Sequence, residues 1–296
     1  MNIIEIIDSV WRISSNAKGP TVAIVGGTHG NERTGIELVK RLLADCLSGR
    51  FILTRGELLL ALGNPRAIEK HQRGSEAGAD LNRCFTANSL GSKGARYEEQ
   101  RARELAEIFA RVHLGIDIHA TNTPSEPFLV SQRFPDSQIE QLCRCFKAGI
   151  VLTDPDWVFA GEPTTLDELF AKQGGVGLCY ETGHASDTSR IDEVEQEIRQ
   201  MLVMAGLLKN EAQIHVAQTR QSIYQLSQAI TLTGDGFIYA EGVGARNFQV
   251  VKSGELIGHH GTRALVAQHA GFIVFPKLPS LWQTGKPVGY LARRIS

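Results

Sequence analysis

Read for its apolar positions, the chain alternates between two periods. Val22, Ala23, Ile24 and Val25 form a short β-rich apolar run over 21–25, closed by Gly26-Gly27, which predicts a buried strand. Over 32–44 the apolar residues Ile36, Val39, Leu42 and Leu43 recur at helical spacing. The alternation then continues. A second apolar run over 57–62 predicts a strand stopped by Gly63-Asn64-Pro65. The spacing over 97–112 predicts a helix with Leu105, Ile108, Phe109 and Val112 on one face and charges on the other. Strands are predicted over 114–118 and 128–130, and helices over 138–146 and 166–172. A strand over 176–180 leads into Glu181-Thr182-Gly183, and a last long helix covers 191–208. Strand, glycine-rich turn and helix make an α/β opening, and such sheets carry their sites at the C-terminal ends of strands.

After about residue 209 the texture changes. The stretch 231–296 is rich in glycine and β-formers, with turn signals at 234–236, 242–244 and 253–254. This predicts an α/β domain over 1–208 followed by a C-terminal β-rich domain over 209–296, a size within the ordinary range for a domain.

Composition narrows the function classes. The chain is 42% hydrophobic and 21% charged with a net charge of −1, so no overall field favours nucleic acid or an anionic membrane. No run approaches the roughly 20 apolar residues of a membrane helix. The N-terminal stretch carries Glu5 and Asp8 and no early basic residue, unlike a secretory signal. The five cysteines lack a framework spacing and read as reduced thiols of a cytoplasmic protein. Cys143 and Cys145 sit in a helical run and read as small buried side chains.

The candidate chemistry begins at Gly26-Gly27-Thr28-His29-Gly30-Asn31-Glu32. Imidazole nitrogen and carboxylate oxygen are ligands that Zn²⁺ takes in catalytic sites, which need a third protein ligand and an open position. His119, at the end of the run 114–119, is the third candidate. Asp117 lies two residues earlier, on the same side of a strand, and can orient an imidazole. Glu181, at the end of another strand, is a candidate general base. Asn64-Pro65-Arg66 and Asp80-Leu81-Asn82-Arg83 offer Arg66, Asn82 and Arg83 to an oxyanion or a carboxylate. Arg73 and Arg96 read as surface charges, and His259-His260 as part of a solvated loop.

In order along the chain, these five blocks resemble the aspartoacylase/succinylglutamate desuccinylase family, relatives of the zinc carboxypeptidases. The resemblance implies a three-layer α/β/α catalytic domain with a mixed central sheet, followed by the β-rich tail. It implies one Zn²⁺ per subunit on His29, Glu32 and His119, with Glu181 as base and acid. It implies Arg66 on the scissile carbonyl, and Asn82 and Arg83 on the α-carboxylate of a small N-acyl amino acid that is hydrolysed to a carboxylate and a free amino acid. It further implies a C-terminal β domain that narrows the entrance against long peptides. The chain departs from the aspartoacylase pattern in two places. Ala171, beside Lys172, stands where an arginine precedes the catalytic glutamate by ten residues, and Ala120 stands where an asparagine follows the third ligand. Tyr290 is a candidate for the family's substrate-binding tyrosine. The acyl group, the amino acid and the oligomeric state are left open. Two alternatives stand beside this reading. One is a carboxypeptidase-like peptidase with the same metal, and the other a zinc-binding protein without catalysis. A phosphate-loop NTPase is a weaker reading still, because 26–32 lacks the Gly-Lys-Ser/Thr ending.

Overall fold

The computed structural model describes residues 1–94, 96–132, 136–209, 221–234 and 236–295. The chain opens with a hairpin, β1 (Asn2–Ile7) and β2 (Val10–Ser14), which the hydrophobic pattern does not announce. It continues as β3 (Thr21–Gly26), α1 (Arg33–Leu47), β4 (Glu57–Leu62), α2 (Pro65–Lys70), a 3₁₀ turn (Leu81–Arg83), α3 (Ala87–Gly91) and α4 (Tyr97–Ile108). β5 (Leu114–Thr121), β6 (Phe128–Val130), α5 (Ser137–Cys143), β7 (Ile150–Thr153), α6 (Leu166–Lys172), β8 (Val176–His184) and α7 (Ile191–Met204) follow. The C-terminal region contributes β9 (Ser222–Thr231), β10 (Ile238–Tyr239), β11 (Gln249–Val251), β12 (Leu256–His260), β13 (Arg263–Val266), β14 (Gly271–Val274) and β15 (Pro287–Arg294).

The architecture is a mixed α/β fold with a large mixed sheet of twelve strands, in the order β1-β2-β4-β3-β5-β8-β6-β7-β9-β15-β14-β11. Its centre is parallel: β3 pairs with β4 and with β5, and β5 pairs with β8. Helices cover both faces, because these strands are apolar on both sides. Val22 and Ile24 of β3, Leu58 and Leu60 of β4, and Ile116 and Ile118 of β5 face one core, shared with α1, α5 and α7. Ala23, Val25, Leu59 and Ala61 face the other, shared with Leu105 of α4 and Leu166, Leu169 and Phe170 of α6. Each fully buried leucine or phenylalanine contributes about 1.5–3 kcal/mol.

The boundary expected between 208 and 209 falls just before 210–220, which lie outside the described residues. Beyond it, β9 pairs in parallel with β7, so the C-terminal strands extend the same sheet. A separate three-stranded sheet, β10-β12-β13, lies within the C-terminal region. His259 and His260 belong to β12 rather than to a loop, and the His260 ring packs against Phe237.

Two close approaches explain the glycines of the 26–32 block. A side chain at Gly26 would sit 2.1 Å from the carbonyl oxygen of Gly35, so β3 and the start of α1 touch through backbone. A side chain at Gly30 would sit 2.0 Å from the Ala67 backbone, so α2 rests directly on the turn that carries His29. On the opposite face, α6 lies against Gly115 and Gly177. A methyl at Gly115 would meet the Phe170 ring at 2.2 Å, and one at Gly177 the carbonyl oxygen of Asp167 at 1.8 Å.

Candidate active site

The site lies at the C-terminal ends of β3, β5 and β8. In β5, Ile116 and Ile118 face the core of α1 and α7, so Asp117 and His119 face the opposite side. In β8, Leu178 and Tyr180 take the α1 side and Glu181 the other. The register of the two parallel strands sets His119 directly opposite Glu181. Both residues lie within their strands, which run on to Thr121 and His184, past the ends expected from the apolar runs. His29 sits in the turn after β3, and Glu32 is the residue that caps the start of α1.

These side chains form a buried cluster. Nδ1 of His29 lies 2.7 Å from one Glu32 carboxylate oxygen, and Nδ1 of His119 lies 2.8 Å from the other. The Ala120 N–H donates to the second oxygen at 3.1 Å. Each imidazole turns its Nε2 to a further carboxylate, His29 to Asp80 at 3.0 Å and His119 to Asp117 at 2.7 Å. Asp117, fully buried, also accepts from the Thr28 hydroxyl at 2.8 Å. A carboxylate on Nε2 fixes the tautomer and leaves Nδ1 directed at Glu32, the outer arrangement usual for metal-ligating histidines. His29, Glu32 and His119 each offer a ligand atom, and the three atoms lie within 4.8 Å of one another. Two imidazoles and one carboxylate suit Zn²⁺ and leave a position open.

The charges are mutually dependent. Burial raises the Glu32 carboxyl pKa, but the attraction of His29 and His119 outweighs it and holds the group below the usual carboxylate range. Burial also opposes the charged form of His119, yet Asp117 and Glu32 push its pKa well above the ordinary imidazole value. Glu181 behaves differently. Burial pushes its pKa up to about 8, with His119 partly offsetting and Glu32 adding to the rise. One of its oxygens, Oε2, is buried without a hydrogen-bond partner. A buried carboxyl whose pKa is drawn toward neutrality can both give and take a proton near neutral pH, as general acid–base chemistry requires.

The two arginine segments part company. Arg66 does not reach the cluster. Asn64 caps α2 by accepting from the Ala67 N–H at 3.1 Å, and Pro65 occupies the first turn. That start leaves Arg66 exposed, its guanidinium 4.1 Å above the Tyr97 ring. Arg73, expected to be a surface charge, stands in the site instead. It donates to Asp80 through Nε at 3.1 Å and Nη2 at 3.0 Å, and Nη1 lies 3.8 Å from Glu32. Its loop folds back because Asp80 lies only seven residues on.

Asn82 is buried beside His119, its amide nitrogen 3.3 Å from Nε2 and its oxygen held by the Leu166 N–H at 2.9 Å. Arg83 lines the cavity with its guanidinium 4.6 Å above the Phe159 ring. Phe159 stacks on Tyr290 at 5.2 Å, and Tyr290 lines the same cavity. Ala120 lines the cavity, whereas Ala171 does not; α6 turns Asp167 and Glu168 toward it. The space measures about 1010 Å³ and draws its walls from the loops and strand ends around the cluster and, in the C-terminal region, from β9, β15 and the segment joining β14 to β15. Cys143 and Cys145 are buried and far from this chemistry, in the α5 core.

Comparison with known proteins points to one family. A family model described as succinylglutamate desuccinylase/aspartoacylase catalytic domain matches residues 18–207. A succinylglutamate desuccinylase of Shewanella frigidimarina is 26% identical over 274 residues, covering 84% of this chain and 75% of that protein. A probable aspartoacylase of Nostoc is 41% identical over 108 residues, 34% of this chain and 35% of that one. Among solved structures, succinylglutamate desuccinylase from Vibrio cholerae superposes with a TM-score of 0.78 at 20% identity, covering 97% of this chain and 86% of that one. Murine aminoacylase 3 gives 0.71 at 19% identity, covering 95% and 97%. These structural likenesses establish the fold, and the family match over 18–207 covers most of the sequence: the chain belongs to the succinylglutamate desuccinylase/aspartoacylase family.

Proposed function

We propose that this protein is a zinc-dependent amidohydrolase that deacylates small N-acyl amino acids, releasing a carboxylate and a free amino acid. The observation that carries the reading is the juxtaposition of a buried His29–Glu32–His119 cluster with Glu181, whose buried Oε2 has no hydrogen-bond partner, in one cavity. His29, Glu32 and His119 would hold the metal, and Zn²⁺ bound there supplies Lewis-acid polarisation and acidifies water. Glu181 takes the proton from the attacking water and returns it to the departing amine. Arg73, rather than Arg66, stabilises the negative charge that develops on the carbonyl oxygen, because its guanidinium faces the cluster. Arg83, with Asn82 beside it, receives the α-carboxylate at the cavity wall.

In this reading 1–208 is the hydrolase domain, and 209–296 supplies the outer wall that keeps long peptides out. The cavity lining from 275–287 supports that division of labour. The same enclosure disfavours the carboxypeptidase-like alternative. The five free cysteines support a reducing, cytoplasmic setting, and among the described residues no helix is long and apolar enough to cross a membrane.

The test is a hydrolysis screen of the zinc-loaded protein. Acetyl, formyl, succinyl and longer N-acyl amino acids are run beside a panel of short peptides, with amine release as the readout. Turnover of at least one N-acyl amino acid above the peptides is expected. Inactivity on every N-acyl compound would refute the deacylase reading.

A further inference from the structure

Lys277 has a tethered backbone and, among the described residues, no counter-ion. It lies in the segment that joins β14 to β15 and lines the active-site cavity. Its backbone is held at both ends, the N–H donating to the Val288 carbonyl at 2.7 Å and the carbonyl accepting from the Trp282 indole at 2.8 Å. The preceding carbonyl, of Pro276, accepts from the Thr123 hydroxyl at 3.2 Å, tying the segment to the loop after β5. The residue is half-buried, and among the described residues no carboxylate forms an ion pair with its ammonium. Its charged surroundings are mainly cationic. Burial, then the like charges of Arg83 and Arg73, with Lys286 adding, push its pKa down to about 8 against the opposing pull of Asp80. Asp80 is already held by Arg73 and by His29. A cation left in such a position is costly unless an anion arrives with the ligand.

α6, which lines the same cavity, has the complementary defect. α6, where the aspartoacylase pattern leads one to expect an arginine, presents Asp167 and Glu168 to the cavity, and Ala171 lies off it. The Asp167 carboxyl is fully buried, and burial with the neighbouring Glu168 pushes its pKa up to about 7. A substrate carboxylate directed at α6 would meet these two carboxyl groups and no cation among the α6 residues that line the cavity.

We infer that Lys277 is the specificity-determining cation of this site. On the deacylase reading, it receives a second carboxylate of the substrate, distinct from the α-carboxylate held by Arg83. The substrates are therefore N-acyl amino acids with an additional anionic group, docked against the C-terminal segment rather than against α6. That group can come from the amino-acid side chain or from the far end of the acyl chain, and the two are separated by experiment.

Steady-state kinetics compare carboxylate and carboxamide partners of equal size in two arms. N-acetylaspartate is set against N-acetylasparagine, and N-succinylalanine against N-succinamoylalanine. The wild type should favour the carboxylate in one arm. Lys277→Met should reduce that preference by about ten- to hundredfold, the effect of one charged hydrogen bond, and Lys277→Arg should restore most of it. The arm that responds identifies the source of the anion. An unchanged carboxylate-to-carboxamide ratio in both arms of Lys277→Met, or a wild-type preference for the carboxamides, overturns the assignment. Calorimetric binding of the same four compounds is measured in parallel. If nothing is hydrolysed but the carboxylate preference in binding falls in Lys277→Met, the deacylase reading fails and the Lys277 assignment stands. If the binding preference is also indifferent to Lys277, the assignment falls.

Discussion

Replacing Arg73 and Arg66 separately by methionine distinguishes two arginines that occupy comparable places in the sequence. Arg73 makes two hydrogen bonds to Asp80 and brings a charge to within 3.8 Å of Glu32. Two losses follow from Arg73→Met. The first, on the proposed function, is a cation at the reacting carbonyl; removal of one such donor costs about 10²–10³ in kcat. The second is the brace on Asp80, which in turn holds the His29 ring. Charge-assisted bonds of this kind contribute about 1.5–3 kcal/mol when buried. The Arg73 side chain is 37% exposed, so solvent screening reduces the stability cost to about 1 kcal/mol. Arg66→Met loses only an exposed stack on Tyr97, about 0.5 kcal/mol. The expected outcome is a fall in kcat/KM of at least about 100-fold for Arg73→Met and no more than about twofold for Arg66→Met. Arg73→Lys should fall between, because it keeps the charge and loses the fork that grips Asp80. Zinc content by elemental analysis and urea midpoints of each variant separate catalytic loss from metal loss and unfolding. A 100-fold loss in Arg66→Met with metal and stability intact, or near wild-type turnover in Arg73→Met, would refute the assignment.

Glu181→Gln should retain zinc and lose about 10²–10⁴ in kcat; activity within tenfold of wild type would remove Glu181 from the proton-transfer role. The same variant tests the electrostatics of the metal-free protein. The folded pKa is raised from the usual 4.5 to about 8, so this group's contribution to stability is fully present below 4.5 and is lost as pH rises to about 8. Glu181→Gln should flatten that part of the pH dependence of the urea midpoint measured with a chelator present, and an unaltered slope would contradict the raised pKa. Gly30→Ala places a methyl 2.0 Å from the Ala67 backbone and should cost about 1–3 kcal/mol, read as a lowered urea midpoint; a neutral substitution would mean that α2 does not rest on the His29 turn. Asp117→Asn removes the carboxylate on His119 Nε2 and should weaken zinc binding about 10–100-fold in competition with a chromophoric chelator. Unchanged affinity would show that Thr28, Asp117 and His119 do not act as one chain of support.

The α/β alternation was legible because strands buried on two faces leave continuous apolar runs, and β3, β4, β5 and β8 all have them. The opening hairpin was not. β1 is a half-exposed edge strand whose Ile3, Glu5 and Ile7 give neither a continuous run nor a clean alternation. The β-rich texture after 209 was also visible. The parallel pairing of β9 with β7 is a long-range contact on which local pattern carries no information, so the sequence alone did not reveal that the sheet is continuous. The 3.6-residue rhythm of 97–112 and 191–208 overran the ends of α4 and α7, because apolar residues just past a helix can still pack on the same core. Phe109 and Leu207 both do so.

The site shows the same division more sharply. His29 and Glu32 are held by one turn, so their joint role can be read from spacing. His119 and Glu181 are 62 residues apart, but each ends an apolar run, and parallel neighbours in register bring such ends together. For the arginines, local signals point the wrong way. Asn64-Pro65 is a strong helix start, and it fixes Arg66 on the outer surface of α2 for the same reason that it drew attention. Arg73 lies in a polar, glycine-bearing loop that looks solvated, and only its pairing with Asp80 across seven residues pulls it to the cluster. An arginine and an aspartate flanking Gly74 and Gly78 were the available clue, since a short loop with close ends can turn both charges inward. Lys277 had no such clue. Its part in the cavity depends on a C-terminal segment folding over strands from the first half of the chain, and on α6 carrying acids where a cation would otherwise serve. On the proposed reading, the bond chemistry is thus encoded in short local blocks, while substrate choice resides in contacts between distant parts of the chain. Selectivity can therefore change through the 275–287 segment while the His29–Glu32–His119 cluster stays as it is.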